Sequence, residues 1–277
     1  MAKQTTVAGG GDLKLNVLEW GDPKGFPILF IHGWSQSYLC WMKQIESNLT
    51  RDFRLVAFDN RGHGMSEAPT AEAAYTDSQL WADDVDAIIR TLDLKRPVLV
   101  GWSYGGLIMT DYLRAYGEKQ IAGVNFVGAT IRLNEEALGP LIGPGFFEPF
   151  PRTTSSDLAE SIDGVRDFLD RCFSVPLSRE DHERALCWNM AVRPDVRASL
   201  AARDVVGDDA LQSLSVPILV TQGRKDTMVL PSMAEHILNL CPMAEASWYE
   251  GVAHGPFIEA HERFNEELAG FVRAANA

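Results

Sequence analysis

Short apolar runs alternate along this chain with stretches whose apolar residues recur at helical spacing. Residues 27–31, 55–58, 98–100, 121–127, 216–221 and 246–249 are mostly apolar, and each is followed within two residues by Gly or Asp. Runs of that length between turn residues predict strands buried on both faces. After residue 77, Leu80, Trp81, Val85, Ile88, Ile89 and Leu92 fall on one helical face. Leu107, Ile108, Tyr112 and Tyr116 do the same after residue 105, as do Met233, Ile237 and Leu240 after Pro231. The closing stretch places Phe257, His261, Phe264, Leu268, Phe271 and Val272 on one side. Residues 38–49 also read as a helix. Near the start, Leu13, Leu15 and Val17 alternate after Gly9-Gly10-Gly11-Asp12, the signature of a β-hairpin. Strands and helices in alternation, with the strands apolar throughout, predict an α/β protein: a mostly parallel, twisted sheet of about eight strands flanked by helices.

The alternation breaks once. Residues 131–214 read as a Gly/Pro-rich loop (139–151) followed by helices only, with Val165, Phe168, Leu169, Cys172 and Phe173 forming one apolar stripe and Ser178 and Asp181 spaced as a capping box. Residues 1–130 and 215–277 are therefore expected to form one core. Residues 131–214 are expected to be a helical lid over the C-terminal edge of its strands, where ligands bind in such sheets.

Composition narrows the function. The net charge of −13 and the lack of any basic run argue against nucleic acid or an anionic membrane as partner. No apolar run approaches the ~20 residues of a membrane span. Four cysteines (Cys40, Cys172, Cys187, Cys241) without paired spacing read as free thiols, and residues 1–12 lack an apolar signal segment. A cytoplasmic protein is the expectation. No metal-ligand spacing and no dinucleotide-binding glycine pattern occurs, so no cofactor or metal is expected. Asp83, Asp84 and Asp86 read as a solvated helix face, and His182, His236 and His261 as surface residues.

The candidate chemistry begins at Gly101-Trp102-Ser103-Tyr104-Gly105, between a strand and a helix. A turn this tight leaves no room for side chains at its two glycines and pushes the serine hydroxyl above the sheet edge. Four further motifs each follow a strand: His32-Gly33-Trp34, the run from Asp59 to Ser66 (DNRGHGMS), Gly223-Arg224-Lys225-Asp226 and Gly251-Val252-Ala253-His254. With these motifs the chain resembles the α/β-hydrolase family over nearly its whole length, and specifically serine carboxylesterases with a helical lid. The resemblance implies an α/β-hydrolase fold and a catalytic triad of Ser103, Asp226 and His254, in the family's chain order.

Each group has a task in such a site. A serine hydroxyl is a weak nucleophile until a base takes its proton. His254 is that base, and it returns the proton to the leaving alcohol. Asp226 fixes the imidazole tautomer. The backbone N–H groups of Trp34 and Tyr104 are the implied oxyanion-hole donors. His32 is expected to hold the oxyanion loop by hydrogen bonding, and Arg61, His63 and Ser66 to brace the turn after their strand. For substrate contact the candidates are Trp34, Phe146 and Phe147. Together these imply hydrolysis of small to medium alkyl or aryl acyl esters through an acyl-enzyme, with a small-molecule ester as the substrate. Two other readings share the motifs: a ligand receptor with little turnover, and a perhydrolase or carbon–carbon hydrolase using the same triad. Perhydrolases of this kind often carry a proline directly after His-Gly-Trp, where this chain has Ser35.

Overall fold

A computed structural model describes residues 2–277. Ten strands are present: β1 (Lys3–Ala8), β2 (Lys14–Gly21), β3 (Phe26–Ile31), β4 (Phe53–Phe58), β5 (Val98–Trp102), β6 (Gly123–Val127), β7 (Arg132–Leu133), β8 (Val205–Val206), β9 (Ile218–Gly223) and β10 (Glu245–Tyr249). Eight of them form one sheet in the order β1-β2-β4-β3-β5-β6-β9-β10. The hairpin β1–β2 and the β2–β4 pair are antiparallel, and every other pair is parallel.

The apolar runs form strands because both sheet faces are covered. Along β3, Leu29 and Ile31 face one core cluster, while Ile28 and Phe30 face the other. In β4, Val56 and Phe58 oppose Leu55 and Ala57 in the same way. Helices Ser78–Thr91, Gly105–Tyr116 and Pro231–Leu240 contribute to the first cluster, and Trp41, Phe257, Phe264 and Leu268 to the second. Proline opens helices at Pro144, Pro194, Pro231 and Pro256, where its missing N–H costs nothing.

Connectivity reverses at β3. The chain leaves it for β4 on one side, then crosses to β5 on the other. The C-terminal ends of β3 and β5 therefore border the crevice where such sheets bind ligands. Gly33-Trp34 and Ser103 lie directly beyond those two ends.

Some expectations need correction. Residues 38–49 are not one helix but a 3₁₀ turn (Tyr38–Trp41), a helix turn (Met42–Ile45) and a further turn beginning at Leu49. Ser37 caps the first, and Asp59 Oδ1 takes the Tyr38 N–H at 3.1 Å, so long-range contacts override the local spacing. The closing helix is two pieces, Pro256–Glu259 and His261–Ala275. Between β6 and β9 the chain is largely helical, but the loop at 139–151 contains the short helix Pro144–Phe147 and the start of Phe150–Thr153. The antiparallel ribbon β7–β8 ties the two ends of this segment together. The stripe of Val165, Phe168, Leu169 and Cys172 is buried along helix Leu158–Cys172. Ser178 accepts the Asp181 N–H at 3.1 Å to begin helix Arg179–Met190.

Asp84 and Asp86 are not solvated. Both are 1% exposed, with Asp84 gripping Arg61 through two bonds of 2.8 Å and Asp86 paired with Arg90 at 2.6 Å. His182 and His236 are half-buried against Asp170 and Asp208 rather than free on the surface. His261 is half-buried too. All four cysteines are free thiols, and only Cys187 is exposed. No helix among the described residues is long and apolar enough to cross a membrane.

Candidate active site

Ser103 stands at the corner between β5 and helix Gly105–Tyr116 with φ at +55°. An L-residue held there costs about 1–3 kcal/mol, a strain the surroundings must impose. They do so by close approach. A Cβ on Gly105 would meet the Ile31 carbonyl at 2.5 Å, and one on Gly101 would meet Met109 Cε at 2.6 Å. The corner is stitched on both sides, with Ser103 N donating to Val127 O at 3.0 Å and Ser103 O accepting from Thr130 N at 3.1 Å.

Asp226 follows β9 and is 3% exposed. Its Oδ1 accepts the backbone N–H groups of Met228 (2.8 Å) and Val229 (3.0 Å), and its Oδ2 accepts from Gln222 Nε2 at 3.0 Å. His254 Nδ1 lies 2.7 Å from the same Oδ2. With Nδ1 committed to the carboxylate, Nε2 is the ring nitrogen left to take a proton. Backbone bonds hold the two loops together: Arg224 N to Tyr249 O at 3.0 Å, and Lys225 N to Val252 O at 2.9 Å. His254 N donates to Cys172 O at 3.0 Å, and Trp102 Nε1 donates to His254 O at 2.9 Å. The histidine is thereby fixed both to the residue preceding Ser103 and to the helical segment. Neither Cys172 nor Gln222 was singled out in the sequence for this role, because a backbone carbonyl and a strand side chain leave no motif.

The Trp34 and Tyr104 backbone N–H groups donate to no acceptor in the chain among the described residues. Helix Gly105–Tyr116 starts at the same point, with the positive end of its dipole toward the site. His32 holds the loop as expected. Its ring contacts Gly33 O at 2.8 Å, and its Nε2 accepts the Asn60 N–H at 3.0 Å. Burial pushes the His32 imidazole down to about 4, so it stays neutral. Arg61 braces more than its own turn, reaching Ala74 O and Gly10 O as well as Asp84.

A cavity of about 30 Å³ adjoins Ser103, roughly twice what one water needs. Trp34, Tyr104, Phe146 and Phe168 line it, as do Leu133, Ile142, Met228 and Val229 from loops and the ribbon. Phe146 meets Trp34 edge-on at 5.4 Å. Phe147 does not line the cavity. It is 39% exposed on the far side of its short helix, so of the two neighbouring phenylalanines only Phe146 keeps its place at the site. Met228 and Val229 were missed, although they lie two and three residues beyond the aspartate of the Gly-x-x-Asp motif, whose carboxylate their backbone N–H groups cap.

The chain belongs to the α/β-hydrolase fold family, whose model matches residues 27–261. Within that family it is esterase-like. It is 36% identical to a candidate aryl esterase from Burkholderia cenocepacia, with a TM-score of 0.94 and 99% of each chain covered. It is 34% identical to the esterase RhEst1 from a Rhodococcus species, with a TM-score of 0.93 and coverage of 98% and 99%. A non-heme chloroperoxidase of Streptomyces lividans is 27% identical over 97% of this chain and 99% of its own.

Proposed function

We propose that the protein is a serine esterase that cleaves small carboxylic esters through an acyl-enzyme. Ser103 Oγ attacks the ester carbonyl as His254 Nε2 takes its proton. The tetrahedral oxyanion is held by the N–H groups of Trp34 and Tyr104, and His254 then protonates the leaving alcohol. Water repeats the sequence to release the acid. Asp226, anchored by three hydrogen bonds besides that to His254, keeps the imidazole in the tautomer this needs. Residues 131–214 act as a lid that supplies Phe146 and Phe168 to the acyl pocket. The observation that carries this reading is the buried 2.7 Å His254–Asp226 bond at the rim where Ser103 is held at positive φ beside an apolar cavity.

The cavity is small and Phe146 is one of the side chains that line it, which favours short acyl groups. Perhydrolysis, suggested by the chloroperoxidase relative, has less support. Ser35 sits at φ +59°, which the ring of proline, fixed near −65°, does not reach. The loop after Trp34 is thus built differently from one that carries proline there. The test is turnover of p-nitrophenyl acetate by the wild type and by Ser103→Ala. Rapid hydrolysis lost in the variant supports the esterase. Tight ester binding without hydrolysis by the wild type would instead make the protein a receptor.

A further inference from the structure

Arg203 and Asp111 form an ion pair in which both side chains are fully enclosed. Arg203 lies between helix Pro194–Ala201 and β8, and Asp111 lies on the helix that begins after Ser103. The guanidinium Nη2 donates to Asp111 Oδ2 at 2.6 Å and to Ser78 Oγ at 2.9 Å, and Nη1 donates to the Tyr104 hydroxyl at 3.3 Å. That hydroxyl donates in turn to Leu200 O at 3.1 Å. The guanidinium carbon also sits 5.5 Å from the Trp81 ring centroid and 5.7 Å from that of Tyr104.

Such a pair is a poor device for stability alone. Desolvating two charges offsets most of their attraction, and two of the buried polar atoms here, Asp111 Oδ1 and Arg203 Nε, have no hydrogen-bond partner among the described residues. What the pair does accomplish is geometric. It joins the inserted segment to the elbow helix, and besides Ser78 Oγ it grips the phenol of the residue next to Ser103. The phenol is saturated, with its donor on Leu200 O and its lone pair on Arg203.

The geometry points to Arg203, seated on Asp111, as a positioning residue for the reaction: by fixing the Tyr104 phenol from the inserted segment it aims the Tyr104 backbone N–H at the oxyanion. This inference rests on the serine-esterase reading. It makes the inserted segment part of the catalytic alignment as well as a cover. Displacing a donor by a fraction of an ångström weakens the transition state more than the ground state, because charge develops on the oxyanion only during the reaction.

The test compares wild type, R203M, R203K, Y104F and the double variant R203M/Y104F with p-nitrophenyl acetate. Affinity for a trifluoromethyl-ketone transition-state analogue and thermal melting are measured alongside. R203M and Y104F are each expected to lower kcat by ~10-fold or more with KM little changed, and to weaken the ketone in step with kcat/KM. The double variant should be no worse than Y104F, because both changes cut the same link. R203K, which keeps a cationic donor, should recover part of the loss. A folded R203M with wild-type kcat, or single losses that multiply in the double variant, overturns the inference. If R203M does not fold, Y104F decides, since it leaves the ion pair intact, and an unchanged kcat there is equally fatal. Inactive Ser103→Ala beside fully active R203M rejects the positioning role and leaves the serine reading standing, whereas active Ser103→Ala rejects both.

Discussion

His254 and Asp226 lie 28 positions apart in sequence and share a 2.7 Å hydrogen bond, with the histidine 2% exposed and the carboxylate anchored from three other directions. The carboxylate is thus held independently of the ring, and its bond to Nδ1 leaves Nε2 as the ring nitrogen free to take a proton.

Replacing Asp226 by Asn tests that arrangement. An amide can still accept from Met228 and Val229 through its oxygen, but its NH₂ then faces both the Gln222 amide and the ring N–H, two donors against a donor. The imidazole turns to the other tautomer. We expect kcat to fall by ~10⁴-fold with little loss of melting temperature, by analogy with the same change in a serine protease. Steady-state kinetics with p-nitrophenyl acetate checks it, and full activity would pass the acid's role to another residue.

Gly128 follows β6 at φ +46°, and a Cβ there would lie 3.1 Å from His254 O and 3.2 Å from His254 Nδ1. Gly128→Ala is expected to push the ring off its carboxylate and to lower kcat at least tenfold while the protein still folds. Circular dichroism and kinetics together check this, and unaltered turnover would show the pair to be less tightly confined than the contacts imply.

Phe146 narrows the cavity and Phe147 does not touch it. Truncating Phe146 to Ala should raise kcat/KM for a butyrate ester relative to acetate by roughly tenfold, the scale on which a pocket senses a methylene. The same change at Phe147 should leave the ratio alone. Equal effects from the two would mean that the pocket extends to the outer side of helix Pro144–Phe147.

His32 and His63 give a pH signature. Burial holds His32 down at about 4 and His63 at about 3, the two rings lying 5.0 Å apart. The unfolded chain takes up protons near pH 6.5 while the folded one does not. The stability these residues contribute is therefore complete above that pH and drains away as pH falls through 6.5 toward 4, amounting to a few kcal/mol per residue in order of magnitude. Melting temperatures from pH 7 to 5 should decline, and less steeply for His63→Gln. Parallel slopes would place the sensitivity elsewhere.

The fold was legible because its strands are buried on both sides, and a run such as Ile28 to Ile31 has no other use for four apolar residues. The corner at Ser103 was legible because a tight turn needs glycines at fixed offsets, and the pairing of Asp226 with His254 was implied by the family resemblance, each residue following a strand. What stayed hidden depends on partners distant in sequence. Asp84 reads as a surface charge until Arg61 is seen to bury it, and Arg203 carries no motif at all. Leu133 reaches the cavity from a two-residue strand, and Ile142 and Met228 from irregular backbone, where no periodicity exists to mark the inward side.

In the proposed reaction the Ser103 oxygen becomes covalently bonded during turnover. The most direct measurement treats the folded protein with an organophosphate ester and locates the adduct by peptide mass spectrometry while esterase activity is followed. One equivalent on Ser103, with activity lost in proportion, is the outcome expected here. An adduct on a different residue, or hydrolysis that persists once Ser103 is fully labelled, would contradict it.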